Sequence, residues 1–150
     1  MKIRHYLFKY GLNLWTPYLG AGVKIEYIKK DFKEIKVSMK LKFYNKNIMH
    51  THFGGSLYSM VDPHIMLMLM ELLGKEYIVW DKSATIDFIK PGKTKVQAIM
   101  NISDDLLTEI KEKTKNGEKY LPEFNINITD ENQNIVAKVK KVLYIKKKLK

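Results

Sequence analysis

From Ile65 to Met70 every residue is apolar, within a stretch Leu57–Leu73 that also holds Leu57, Tyr58, Met60, Val61, Leu72 and Leu73. Nothing else in the chain restricts its fold so strongly. A run this long exceeds an ordinary strand. A helix that is apolar all round has to be surrounded by the rest of the protein. Gly74 supplies its stop. A membrane span is the competing reading. Asp62, Pro63, His64 and Glu71 interrupt it, and a spanning helix needs about 18 uninterrupted apolar residues.

The partner for such a helix is read from period-two segments. In Glu34–Phe43, residues Ile35, Val37, Met39, Leu41 and Phe43 alternate with polar ones, which describes a half-buried strand. Before it, Val23, Ile25 and Tyr27 alternate with Lys24 and Glu26, and Lys29–Lys33 suits a hairpin turn. After the helix come Tyr77–Trp80, Ser83–Lys90, Lys93–Ser103, Lys119–Thr129 and Ile135–Lys147. Pro91-Gly92 and Asp130–Asn134 read as turns between them. The polar patch Asp104–Lys119, with its Asn116-Gly117 turn, reads as an insertion. These elements predict an α+β hotdog fold: a curved antiparallel sheet of six or seven strands wrapped around one long buried helix. Residues 1–150 are expected to form one domain, with 1–20 as an N-terminal helical extension.

The chain has no cysteine, so disulfides, thiolate metal sites and cysteine nucleophiles are out. Lys2, Arg4 and Lys9 are interspersed with Ile3, Tyr6, Leu7 and Phe8, unlike a secretory signal. Both features lead to an expected cytoplasmic location. Residues Met1–Asn13 fit a helix with Ile3, Leu7 and Tyr10 along one stripe; it either docks on the domain or rests on an anionic membrane surface. The formal net charge is +11. The lysines are scattered along strands except over Lys138–Lys150, the pattern of a solvated face rather than of a nucleic-acid site. No nucleic acid and no integral membrane association is expected.

Candidate chemistry lies in Tyr44–Ser56, a polar loop that ends at the helix N-terminus with Gly54-Gly55. Free amides there can polarise a carbonyl, and glycines let a substrate approach the backbone. A tight strand-to-helix turn is the plainer reading. Asp62 follows Gly55 by seven residues, which on a continuous helix puts it on the same face ~10 Å along the axis. An acid buried there has a raised pKa and suits a general base. Equally, Asp62-Pro63 fits the cap and first residue of a helix restarting at Pro63. His50 and His52 lack a third ligand, so no metal is expected. Lys90, Lys93 and Lys95 flank a turn, solvated or in contact with a phosphate.

The order of elements, with His52-Phe53-Gly54-Gly55 and then Asp62, resembles the small hotdog thioesterases related to the phenylacetate-pathway enzyme. A closer likeness is to a thioesterase-like hotdog family of unassigned function. It rests on Asn13-Leu14-Trp15, Pro17-Tyr18-Leu19-Gly20, Thr51–Tyr58, Asp62-Pro63, Tyr77–Asp81 and Asp87–Gly92. That resemblance implies hydrolysis of an acyl-thioester of coenzyme A or of an acyl carrier protein, the thioester being substrate and no cofactor being needed. It implies Asp62 as base or nucleophile and the Gly55 amide as oxyanion donor. Asn47, Thr51, His52, Phe53, Gly54, Ser56 and Tyr58 would contact substrate. It also implies a homodimer or homotetramer, with the site between subunits. Phe53 stands where the characterised enzymes carry His, and Pro63 directly follows the acid. Both departures point to the alternative, a non-catalytic binder of acyl-thioesters or lipids.

Overall fold

The computed structural model describes residues 3–149. Two helices open the chain, α1 (Arg4–Asn13) and α2 (Thr16–Ala21), followed by strands β1 (Val23–Ile28) and β2 (Glu34–Met39). The apolar stretch forms α3 (Gly54–Ser59) and α4 (His64–Leu73). Then come β3 (Tyr77–Phe88), β4 (Val96–Asn101), α5 (Asp104–Thr114), β5 (Lys119–Tyr120), β6 (Glu123–Asp130) and β7 (Ile135–Lys147). The strands make one seven-stranded antiparallel sheet in the order β1-β2-β4-β6-β7-β3, with β5 also pairing β7. The sheet is curved about the helical segment 54–73, which is the hotdog arrangement.

The period-two reading explains what faces inward. Ile35, Val37 and Met39 of β2, Val96, Ala98 and Met100 of β4, and Phe124, Ile126 and Ile128 of β6 are all buried. Ile65, Met68 and Leu69 of α4 meet them from the other side with 1% exposure or less. Side chains of this size each contribute about 1.5–3 kcal/mol when fully buried. Gly74 ends α4 with φ at +83°, a conformation that Cβ-bearing residues resist.

Four elements differ from expectation, one of them the strand expected over Lys119–Thr129, which Leu121-Pro122 divides into β5 and β6. Tyr77–Trp80 and Ser83–Lys90 are one continuous strand, because a bulge between Asp81 and Ser83 absorbs Lys82 without ending the pairing with β7. The polar patch after β4 is a helix, capped by Ser103, whose hydroxyl accepts the Leu106 N–H at 3.2 Å. The central helical segment is broken at residues 60–63. Residues before proline are disfavoured in helical conformation, and α4 begins only at His64.

The N-terminal helix docks on the domain, as one of its two readings has it, but not through the expected side. Its Ile3–Leu7–Tyr10 stripe faces outward, and the opposite side, His5, Phe8 and Leu12, lies against the domain. Arg4 closes the junction with α4 through a 2.7 Å ion pair to Glu71. Met1 and Lys2, also part of the predicted helix, lie outside the described residues.

Candidate active site

The loop between β2 and α3 is shaped by its own polar side chains. Asn45 is buried; its Oδ1 accepts the Lys42 N–H at 2.7 Å, and its Nδ2 donates to the carbonyls of Lys40 and Ala21 at 2.9 and 3.0 Å. Asn47 Oδ1 accepts the backbone N–H groups of Met49 and Thr51 at 3.0 and 3.1 Å, while its Nδ2 donates to Thr51 Oγ1. This turn passes through His50 at φ +59°. Asn47 and Thr51 are therefore engaged mainly with each other and with the loop backbone.

His52 ties the loop to the turn after β3. Its backbone N–H donates to the Gly92 carbonyl at 2.9 Å and its Nε2 donates to the Thr94 carbonyl at 2.8 Å. Burial pushes the imidazole pKa down, and the hydrogen bond to Thr94 opposes this only in part. A neutral ring with its proton on Nε2 follows. Its Nδ1 is buried without a partner.

At the start of α3, the N–H groups of Gly54, Gly55 and Ser56 have no acceptor among the described residues, and no side chain caps the helix. Aromatic rings lie over both glycines. A Cβ on Gly54 would come within 2.8 Å of the Phe88 ring, and one on Gly55 within 2.6 Å of the Phe53 ring. A side chain at either position would have to push the exposed Phe88 or Phe53 ring aside.

Two cavities flank the glycine pair. One, of about 610 Å³, is lined by Asn47, Met49, Thr51, His52 and Gly54, with Leu57 at its base and the segment Phe88–Lys93 opposite. The other, of about 400 Å³, is lined by Gly54, Gly55 and Tyr58 and by Ala84, Thr85, Ile86 and Phe88 of β3. Gly54 and Phe88 belong to both, so the two cavities adjoin at this pair. Of the three lysines by the turn, Lys90 is held by Asp130 at 2.5 Å and Lys95 by Glu26 at 3.2 Å. Lys93 is exposed and lines the larger cavity.

Asp62 lies elsewhere and in a different state from the one expected. It lines neither cavity. It is not buried among apolar groups, since its side chain keeps 38% of its exposure, and it does not cap α4. Instead its Oδ1 accepts a 2.7 Å hydrogen bond from Lys141 Nζ, which also binds Asp81 at 2.9 Å. Burial works to lower the Lys141 pKa, but the two aspartates outweigh it and the net shift is upward. Tyr58 links this cluster to the glycines: it lines the smaller cavity, and its hydroxyl is 3.5 Å from Asp62 Oδ1. Behind Asp62, Tyr18 donates its hydroxyl to the Asp62 carbonyl at 2.5 Å and meets His64 Nε2 at 2.8 Å.

Sequence reasoning missed Lys141, Asp81, Phe88 and Asn45. Lys141 had a signal: Ala137, Val139, Leu143 and Ile145 alternate inward along β7, and Lys141 occupies the middle one of these five inward positions. Phe88 had only its place in the Asp87–Gly92 stretch of the family likeness and Asn45 had none, because their roles come from contacts between distant segments. Among the described residues no three His, Asp or Glu side chains are placed to hold a metal ion, and no helix is long and apolar enough to cross a membrane.

Comparison with known proteins adds the following. The family described as a domain of unknown function (DUF4442) matches residues 4–145. No curated protein matches. Among solved structures, a protein of unknown function from Pseudomonas aeruginosa, described as a probable thioesterase, superposes with a TM-score of 0.82 at 14% identity, covering 95% of each chain. A protein of unknown function from Chlorobaculum tepidum gives 0.76 at 16% identity, covering 96% of this chain and 94% of that one. A thioesterase from Haemophilus influenzae gives 0.66 at 14% identity, covering 93% and 89%. At these identities the likeness establishes the fold.

Proposed function

This chain belongs to the DUF4442 family, and from its fold and glycine-flanking cavities we propose that it hydrolyses acyl-thioesters of coenzyme A or of an acyl carrier protein in the cytoplasm. The observation that carries the proposal is the run of unpartnered amides at Gly54–Ser56, with Gly54 lining both adjoining cavities and Gly55 the smaller one. In this reading the Gly55 N–H donates to the thioester carbonyl oxygen. Asp62 takes a proton from water, the water oxygen bonds to the carbonyl carbon, the carbon–sulfur bond breaks, and the departing thiolate takes up the proton. The acyl chain lies along Tyr58, Ala84 and Ile86. The thiol-bearing arm runs past Met49 and His52 to Lys93, whose free ammonium meets its phosphates.

The distance that separates Asp62 from the cavities is closed, in this proposal, by a second copy of the chain. Along its outer edge β3 has no neighbour among the described residues, and Trp80 and Phe88 on it are 63 and 58% exposed. An open edge of that length is a template for strand pairing. Self-pairing there sets the β3 walls of two sites side by side and encloses them.

The test is thiol release from acyl-coenzyme A substrates of graded chain length. Asp62→Asn is expected to lower turnover by about 10²–10⁴-fold, the usual range for loss of a general base, with the circular dichroism spectrum unchanged. An undiminished rate removes Asp62 from the mechanism. Measurable binding with no turnover for any thioester replaces hydrolysis by the second reading, a non-catalytic acyl-thioester or lipid binder. What favours that reading is Lys141, which already occupies one oxygen of Asp62.

A further inference from the structure

Helix α1 is apolar on two opposite sides. On the inner side His5 is buried, Phe8 meets the edge of Phe32 with ring centroids 5.6 Å apart, and Leu12 packs on the core. On the outer side Ile3, Tyr6, Leu7, Tyr10 and Leu14 recur at helical spacing, so they form one continuous stripe. Their exposure runs from 49 to 72%. Trp15 and Leu19 extend the stripe into α2 at 45 and 52%. A contiguous apolar patch of this kind on a soluble surface marks a place where something binds.

The charge around the stripe says what. Of the cations in the first 25 residues, which hold no Asp or Glu, Arg4 is matched by Glu71 at 2.7 Å and Lys24 by Glu26 at 3.5 Å, which leaves Lys9 beside the stripe. On one flank of α1 lies a notch of about 370 Å³ lined by His5, Tyr6, Lys9, Tyr27, Lys29 and Lys30. Lys29 is matched by Glu34 at 2.8 Å; Lys9 and Lys30 have no carboxylate partner among the described residues. On the other flank an apolar groove of about 510 Å³ runs between Leu7, Gly11, Trp15 and Leu67. Cations, then amphipathic aromatics, then aliphatic surface is the order met on passing from the headgroups of a bilayer into its acyl region. A second copy of the chain fits less well, since it would set one basic flank against another in a protein of net charge +11.

We propose that α1 and α2 form an in-plane docking surface for an anionic bilayer, with Lys9 and Lys30 taking the headgroup phosphates and the Ile3–Leu14 stripe entering the interface. This stands apart from the hydrolase proposal, and none of the residues that meet the bilayer belongs to that site. The full chain carrying Trp80→Phe keeps Trp15 as its one indole, which allows titration with vesicles of phosphatidylglycerol and phosphatidylcholine. Expected are flotation with the mixed vesicles, a blue shift of Trp15 emission, and weakening of both by salt. Pure phosphatidylcholine should bind far less. Lys9→Ala and Lys30→Ala should each weaken binding roughly fivefold, as removal of one juxtamembrane cation does. Leu7→Glu combined with Leu14→Glu should abolish flotation with the circular dichroism spectrum unchanged, both side chains being exposed. The proposal is overturned by absence of flotation at low salt, by equal binding to both vesicle types, or by binding that survives the double variant. It is overturned equally if the double variant instead dissociates an oligomer in a protein that ignores vesicles.

Discussion

Lys141 has no exposure to water and lies between two aspartates that do. An ammonium taken out of water costs several kcal/mol unless it is matched, and here Asp62 and Asp81 match it from both sides. The pair of contacts joins the break in the helical segment to the edge strand. Lys141→Met is expected to destabilise the domain by about 3 kcal/mol in urea denaturation, near the lower end of the range for breaking a buried ion pair, since the two carboxylates keep partial contact with water. His64 offers a second residue-scale test. Complete burial, more than the nearby Lys141 charge, depresses its pKa to about 3, against Asp62, which pulls the other way. The unfolded imidazole titrates near ~6.5. Between those values the unfolded chain binds the extra proton, so the His64 contribution is whole above the upper value and lost as pH falls toward the lower. Wild type should therefore lose up to about 1.4 kcal/mol per pH unit more than His64→Gln across that window, read as the difference between their urea midpoints.

Elements show where sequence reading succeeds and where it stops. Alternation in β2 and the inward row of β7 are local, so both were legible as strands. The continuity of β3 was not, because Asp81-Lys82 looks like a turn until the bulge at Lys82 is seen to aim Asp81 at Lys141. The α5 helix did have a local signal that went unread: Ser103 followed by Asp104-Asp105, with Leu106, Leu107 and Ile110 at helical spacing. Ser103→Ala is expected to cost about 1 kcal/mol, measured by thermal or chemical unfolding. In the candidate site the Gly54-Gly55 pair and the loop before it could be found from residue types alone. The separation of Asp62 from the cavities could not, since it depends on an ion pair with a residue 79 positions later.

For the molecule as a whole, the open side of β3 sets what the chain does in company. Sedimentation velocity is expected to give a dimer or tetramer. Antiparallel self-pairing brings the middle of the strand opposite itself, so Ser83→Glu with Thr85→Glu places like charges face to face and should yield a monomer. An oligomer unaffected by this change would place the subunit contact elsewhere. The other side of β3 has a different consequence. Its hydrogen-bonding partner is β7, the last strand in the sequence, with Phe88 paired to Ala137 and Tyr77 to Lys147. On a ribosome, β3 therefore emerges well before either of its edges can be satisfied, and the central helix has only half a wrapper until the final strand arrives. Closure of such a long-range pairing is slow, which leaves both edges of β3 open to wrong pairing for the time it takes to synthesise residues 89–147.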